Sequence, residues 1–100
     1  MQKTFSVRTR SRTGLVDITN EVRRAVAEIG VTDGAVVVYT PHTTAAVTIN
    51  ESADPDVARD LDAKLSDLVP ASGAYRHTEG NSDAHVKSSL VGCSEVLLVR

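Results

Sequence analysis

The 100 residues predict an α+β fold of mostly antiparallel strands packed with two main helices. Three observations carry that expectation. Fifteen valines and ten threonines supply stiff, β-branched side chains suited to a pleated surface. Several short segments alternate apolar and polar residues with a period of two. Two longer segments instead place apolar residues three and four apart, which is the spacing of one helix face.

Taken in order, residues 3–9 set Phe5 and Val7 on one face against Thr4, Ser6 and Arg8, a half-buried strand. Arg12, Thr13 and Gly14 predict a turn, and residues 15–18 return as a short second strand. Ile18, Val22, Ala25, Val26 and Ile29 then fall at helical spacing, with Thr19 as N-cap and Gly30 at the stop. Residues 35–40 are a continuous apolar run, the pattern of a strand covered on both faces. Residues 45–50 alternate again, with Val47 and Ile49 on one side. Asp54 before Pro55 predicts a cap followed by proline at the first helical position. Val57, Leu61, Leu65 and Leu68 make the stripe of that second helix, and Pro70 ends it. Residues 71–83 are polar and predict a long ordered loop, a feature usually tied to function in so small a domain. A short helix at 84–90 and a strand at 94–99 complete the chain.

One hundred residues and 10.6 kDa predict a single domain. A net charge of −2 argues against a nucleic-acid binder held by phosphate contacts. Phe5, Tyr39 and Tyr75 are too few aromatics for a base-stacking surface. No apolar run approaches the roughly 20 residues needed to cross a bilayer, so no membrane partner is expected. The first residues lack an apolar stretch of the signal-peptide kind. A single cysteine, Cys93, cannot form an internal disulfide, and the expected compartment is a reducing cytoplasm. Cys93 follows a glycine and precedes an apolar strand, which reads as a small buried hydrophobe. Arg8, Arg10 and Arg12 read as a charged solvent face.

Candidate chemistry gathers around three histidines. His42 sits between two predicted strands, His77 in the long loop, and His85 at the start of the short helix. Three neutral imidazoles can hold a zinc-type ion with a fourth position open. Spacings of 35 and 8 residues match no short metal motif, so three exposed loop histidines is the competing reading. Asn50 and Glu51, at a strand end, can orient a histidine or bind substrate, or simply cap the next helix. Lys87, Ser88 and Ser89 near a helix start suit a phosphate, although Lys-Ser-Ser also occurs on solvated helices. Arg76 adds charge to the same loop or lies free in solvent.

Three segments in register resemble one family. They are Pro41-His42-Thr43-Thr44-Ala45 running on to Asn50-Glu51 and Asp54-Pro55, then Tyr75-Arg76-His77-Thr78-Glu79-Gly80-Asn81, then Asp83-Ala84-His85-Val86-Lys87-Ser88-Ser89-Leu90-Val91-Gly92. Their order and separation resemble the YjbQ-like family, also called secondary thiamine-phosphate synthases, over nearly the whole chain. The resemblance implies a sandwich-like sheet, a homotrimer, and a pocket where the three segments converge. It implies a divalent ion of the zinc or magnesium class on His42, His77 and His85. It further implies reacting roles for His77, Glu79 and Lys87, and substrate contacts from Thr43, Thr44, Asn50, Glu51, Asp83, Ser88 and Ser89. Family members continue past the strand that ends at Arg100, so the single domain over residues 1–100 is expected to lack the family's C-terminal strand region.

The activity so implied joins a hydroxymethylpyrimidine diphosphate to a thiazole phosphate and releases pyrophosphate. The same residues also fit a metal-dependent hydrolase of a small phosphorylated or acyl compound. A third reading is a non-catalytic module that holds an anionic metabolite. All three expect a small anionic or phosphorylated ligand.

Overall fold

A proline directly after a carboxylate opens the longest element. In the computed structural model, which describes residues 1–100, helix α2 spans Pro55–Leu68, and Asp54 Oδ1 accepts the Asp56 N–H at 2.9 Å. Its stripe residues Val57, Leu61 and Leu65 are half-buried, whereas Leu68 at the last turn is exposed. Val69 N–H bonds back to Leu65 and closes the helix before Pro70, as the sequence predicts.

The other helices are α1, Thr19–Ile29, and α3, Ser82–Val91. Thr19 is not the N-cap of α1. It is the first helical residue, and Asp17 performs the capping by accepting the Thr19 N–H at 2.9 Å together with its hydroxyl. Those two bonds hold the Asp17 carboxyl below its ordinary value. Gly30 stops α1 in the left-handed conformation at φ 86°, its N–H on the Val26 carbonyl. Helix α3 begins two residues earlier than predicted, which moves Lys87, Ser88 and Ser89 from the helix start into its middle. Their backbone N–H groups therefore belong to the helical ladder and are not free for a phosphate.

Strand β1, Gly34–Tyr39, pairs antiparallel with β2, Ser94–Val99, and these two strands make the sheet. The register sets Ala35 opposite Leu98, Val37 opposite Val96 and Val38 opposite Glu95. Two further bonds continue the pairing beyond Tyr39: Thr40 N–H to Cys93 O and Val47 N–H to Gly92 O, both 3.0 Å. The fold class is α+β as the sequence predicts, but three expected strands differ. Residues 3–9, 15–18 and 45–50 form no ladder. Alternation reports which side of a segment is apolar, and a strand also needs a neighbour that bonds it along its length; residues 45–50 have only the single Val47 bond to Gly92. Lys3 instead ties the N-terminal segment to α1 through Glu28 at 2.6 Å.

The run read as covered on both faces is open on one. Val37, Tyr39, Val96 and Leu98 share a face of the ribbon and are 60–74% exposed. Only Val69 and Asp83 are buried in the whole chain. The accessible surface is 7837 Å², against about 5,500 Å² for a closed monomer of this mass. The radius of gyration, 15.2 Å, likewise exceeds the ~13 Å of a closed 100-residue domain. Cys93, read as buried, is exposed. No helix is long and apolar enough to cross a membrane.

Candidate functional site

The loop between α2 and α3 is organised by its own residues. Tyr75 bonds backward twice, its N–H to Gly73 O at 2.9 Å and its hydroxyl to Pro70 O at 2.6 Å. This ties the start of Tyr75-Arg76-His77 back to the end of α2. His85 rises from the first turn of α3, and its ring meets the His77 ring edge to face, 5.5 Å between centroids and 85° between planes. An open cleft of about 440 Å³ is lined by this pair with Tyr75, Arg76, Ser82 and Val86. Glu79 Oε1 lies 4.0 Å from His77 Nε2, with both side chains well exposed, so their attraction is weak.

Behind the cleft is the one charged side chain that is wholly buried. Asp83, the second residue of α3, is 0% exposed and takes a two-pronged bond from Arg12, Nη1 to Oδ2 at 2.8 Å and Nη2 to Oδ1 at 2.9 Å. Arg12 Nη2 also donates to Gly80 O at 3.1 Å. The Arg12 bonds hold the Asp83 carboxyl down at about 2; burial opposes them, while the Arg12 charge, the Ala84 N–H and the Lys87 charge assist. The same contact raises the Arg12 guanidinium. Arg12 is thus not part of a plain solvent face, as the sequence suggested. Its partner is 71 positions away, a distance at which no spacing rule operates.

Lys87 is largely covered, with Nζ 3.2 Å from Ser66 Oγ on α2 and 4.0 Å from Asp83 Oδ2 one turn below. It braces α3 against α2 and does not line the cleft. Ser66 itself carried no sequence signal beyond its place in α2.

The remaining expected residues lie elsewhere. His42, Thr43 and Thr44 form an exposed turn closed by Ala45 N–H on His42 O at 3.2 Å. Asn50 Oδ1 accepts the neighbouring Glu51 N–H at 2.8 Å, a local bond, and both residues are exposed. Ser88 donates to Ala45 O, and Ser89 donates to His85 O one turn back at 3.0 Å. None of these residues lines the cleft. The grouping of His42 with His77 and His85 is not found within one chain: no three His, Cys, Asp or Glu side chains come close enough to hold a metal ion. His77 and His85 alone supply two imidazoles, short of a closed set, so the donors of a single chain do not fit the expected ion.

Comparison with known proteins gives a consistent answer. The family described as "UPF0047 protein YjbQ-like" matches residues 3–100. A UPF0047 protein of Methanocaldococcus jannaschii is 50% identical over 96 residues, covering 96% of this chain and 70% of the relative. The UPF0047 protein YugU of Bacillus subtilis is 46% identical over 100 residues, covering 99% and 76%. Among solved structures, a hypothetical protein from Aeropyrum pernix K1 superposes with a TM-score of 0.90 at 35% identity, covering 95% of this chain and 72% of that one. A YjbQ/UPF0047-family protein from Clostridium acetobutylicum gives 0.82 at 54% identity, covering 85% and 66%.

Proposed function

Because the chain belongs to the YjbQ-like UPF0047 family, we propose that its cleft binds a small phosphorylated substrate and carries out a transfer of the thiamine-phosphate-synthase type. The observation that supports this is the His77–His85 ring pair sharing one cleft with Arg76. In the proposed reaction the thiazole nitrogen forms a C–N bond to the pyrimidine methylene carbon. The C–O bond to the diphosphate breaks, and pyrophosphate leaves with the bonding electrons. Arg76 supplies charge and planar donors for the leaving diphosphate. His77, with Glu79 beside it, donates a proton to the oxygen of the departing pyrophosphate. Lys87 and Asp83 belong to the frame that holds α3.

The proposed assembly is a homotrimer whose subunits cover the open ribbon face. A divalent ion enters this reading only between subunits, with His77 and His85 joined by a donor from another copy. The proposed compartment is the cytoplasm, where exposed Cys93 stays reduced.

The test is pyrophosphate release by the purified chain given both substrates, with His77→Ala as the comparison. The expected result is release that needs both substrates and falls about a hundredfold in the variant, the usual size of a lost acid–base group. Equal rates in the two proteins overturn the reading. Release from the diphosphate alone identifies a hydrolase instead, and tight pyrophosphate binding without turnover identifies a binding module.

A further inference from the structure

Between His77 and His85 the chain must turn out of a loop and into a helix. Nothing in the ring pair itself holds that geometry, since an edge-to-face contact between exposed His77 and half-buried His85 is a weak restraint. The connecting segment contains Gly80 at φ 80°, a conformation open to few other residues. It also contains Asn81, which makes no side-chain capping bond to α3. By its own chemistry this junction is loosely specified.

One outside group grips it on both sides. Arg12 bonds Gly80 O on the loop side and both oxygens of Asp83 on the helix side. A planar guanidinium with three of its donors engaged fixes both distance and angle between its acceptors. The next residue, Thr13, bonds Asp62 on α2 at 3.5 Å, so the clamp is seated against a second helix. We infer that Arg12 is the positioning residue of the cleft: by locking Gly80 to Asp83 it sets His77 edge-on to His85. Arg12 does not line the cleft and acts only through the two histidines.

The functional importance of this clamp rests on the cleft being the reaction site, and the experiment separates the two ideas. Proton NMR of the full chain reads the His77–His85 ring contact as a cross-peak between their carbon-bound ring protons, with no substrate present. In Arg12→Gln the cross-peak is expected to vanish, while the amide shifts of Val37 and Val96 on the ribbon stay in place. Arg12→Lys keeps the charge without the fork and is expected to lose the cross-peak as well. A folded Arg12→Gln that retains the cross-peak overturns the inference, even where its unfolding midpoint falls. Where the glutamine variant does not fold, Arg12→Lys decides by the same reading. Loss of the cross-peak in protein whose wild type releases no pyrophosphate leaves the clamp standing and removes the proposed reaction.

Discussion

Ser88 on α3 donates its hydroxyl hydrogen to the carbonyl of Ala45 at 2.5 Å, joining positions 43 residues apart. The bond fastens the His42–Thr44 turn to α3, and neither Ser88 nor Ala45 lines the histidine cleft. Ser88→Ala leaves that carbonyl without its partner and is expected to cost about 1 kcal/mol of stability. The shift of the urea midpoint at constant slope measures it. An unchanged midpoint would show that the bond is replaced by water at no cost.

The ion pair of Asp83 with Arg12 predicts a defined pH window. The folded carboxyl is depressed from 3.8 to about 2, so its contribution is complete above 3.8 and disappears as pH falls toward 2. Asp83→Asn is therefore expected to be less stable than wild type at pH 6, with a gap that closes between pH 3.8 and about 2. Urea midpoints across this range give the comparison. A gap independent of pH would mean that the carboxylate charge is not what stabilises the contact.

Gly30 offers a test of backbone geometry without packing. At φ 86° it lies in the left-handed region, yet a Cβ there would meet nothing within 4 Å. Gly30→Ala is expected to destabilise by about 1 kcal/mol, all of it conformational. Its crystal structure should superpose on wild type, and no loss in the denaturation midpoint would contradict the assigned geometry.

The open ribbon face bears on assembly. Leu98 is 74% exposed beside Val96 and opposite Ala35. Leu98→Glu places a carboxylate on that apolar surface, where burial would be strongly unfavourable. Wild type is expected to sediment at three times 10.6 kDa, and the variant at the monomer mass. A monomeric wild type would refute the proposed trimer.

How much of this was legible in the sequence depends on how local each feature is. The Asp54-Pro55 opening of α2 and its end before Pro70 involve neighbours a few residues apart, and they read directly. Residues 3–9 and 45–50 alternate just as β1 and β2 do in part, but whether a strand forms is decided by a partner the segment does not contain. In the site, His77 and His85 belong to adjacent motif segments, and their convergence follows the chain. Lys87 and Asp83 meet by the i,i+4 rule once α3 is known to begin at Ser82. Arg12 obeys no such rule: only the tertiary fold brings residue 12 to residue 83. A pattern of arginines at 8, 10 and 12 looks the same whether the last is solvated or clamped.

The pairing of β1 with β2 has a mechanical consequence. Strand β1 is apolar on both faces, with Val36 and Val38 on one side and Ala35 and Val37 on the other, so its own alternation gives little penalty to a slip of one residue. Alignment is instead set at one end, where Thr40 and Val47 bond the Gly92–Cys93 corner. The ribbon should thus behave as a zipper with a fixed tab. Amide hydrogens near Tyr39 and Ser94 exchange slowest, and protection declines step by step toward Gly34 and Val99, where opening begins.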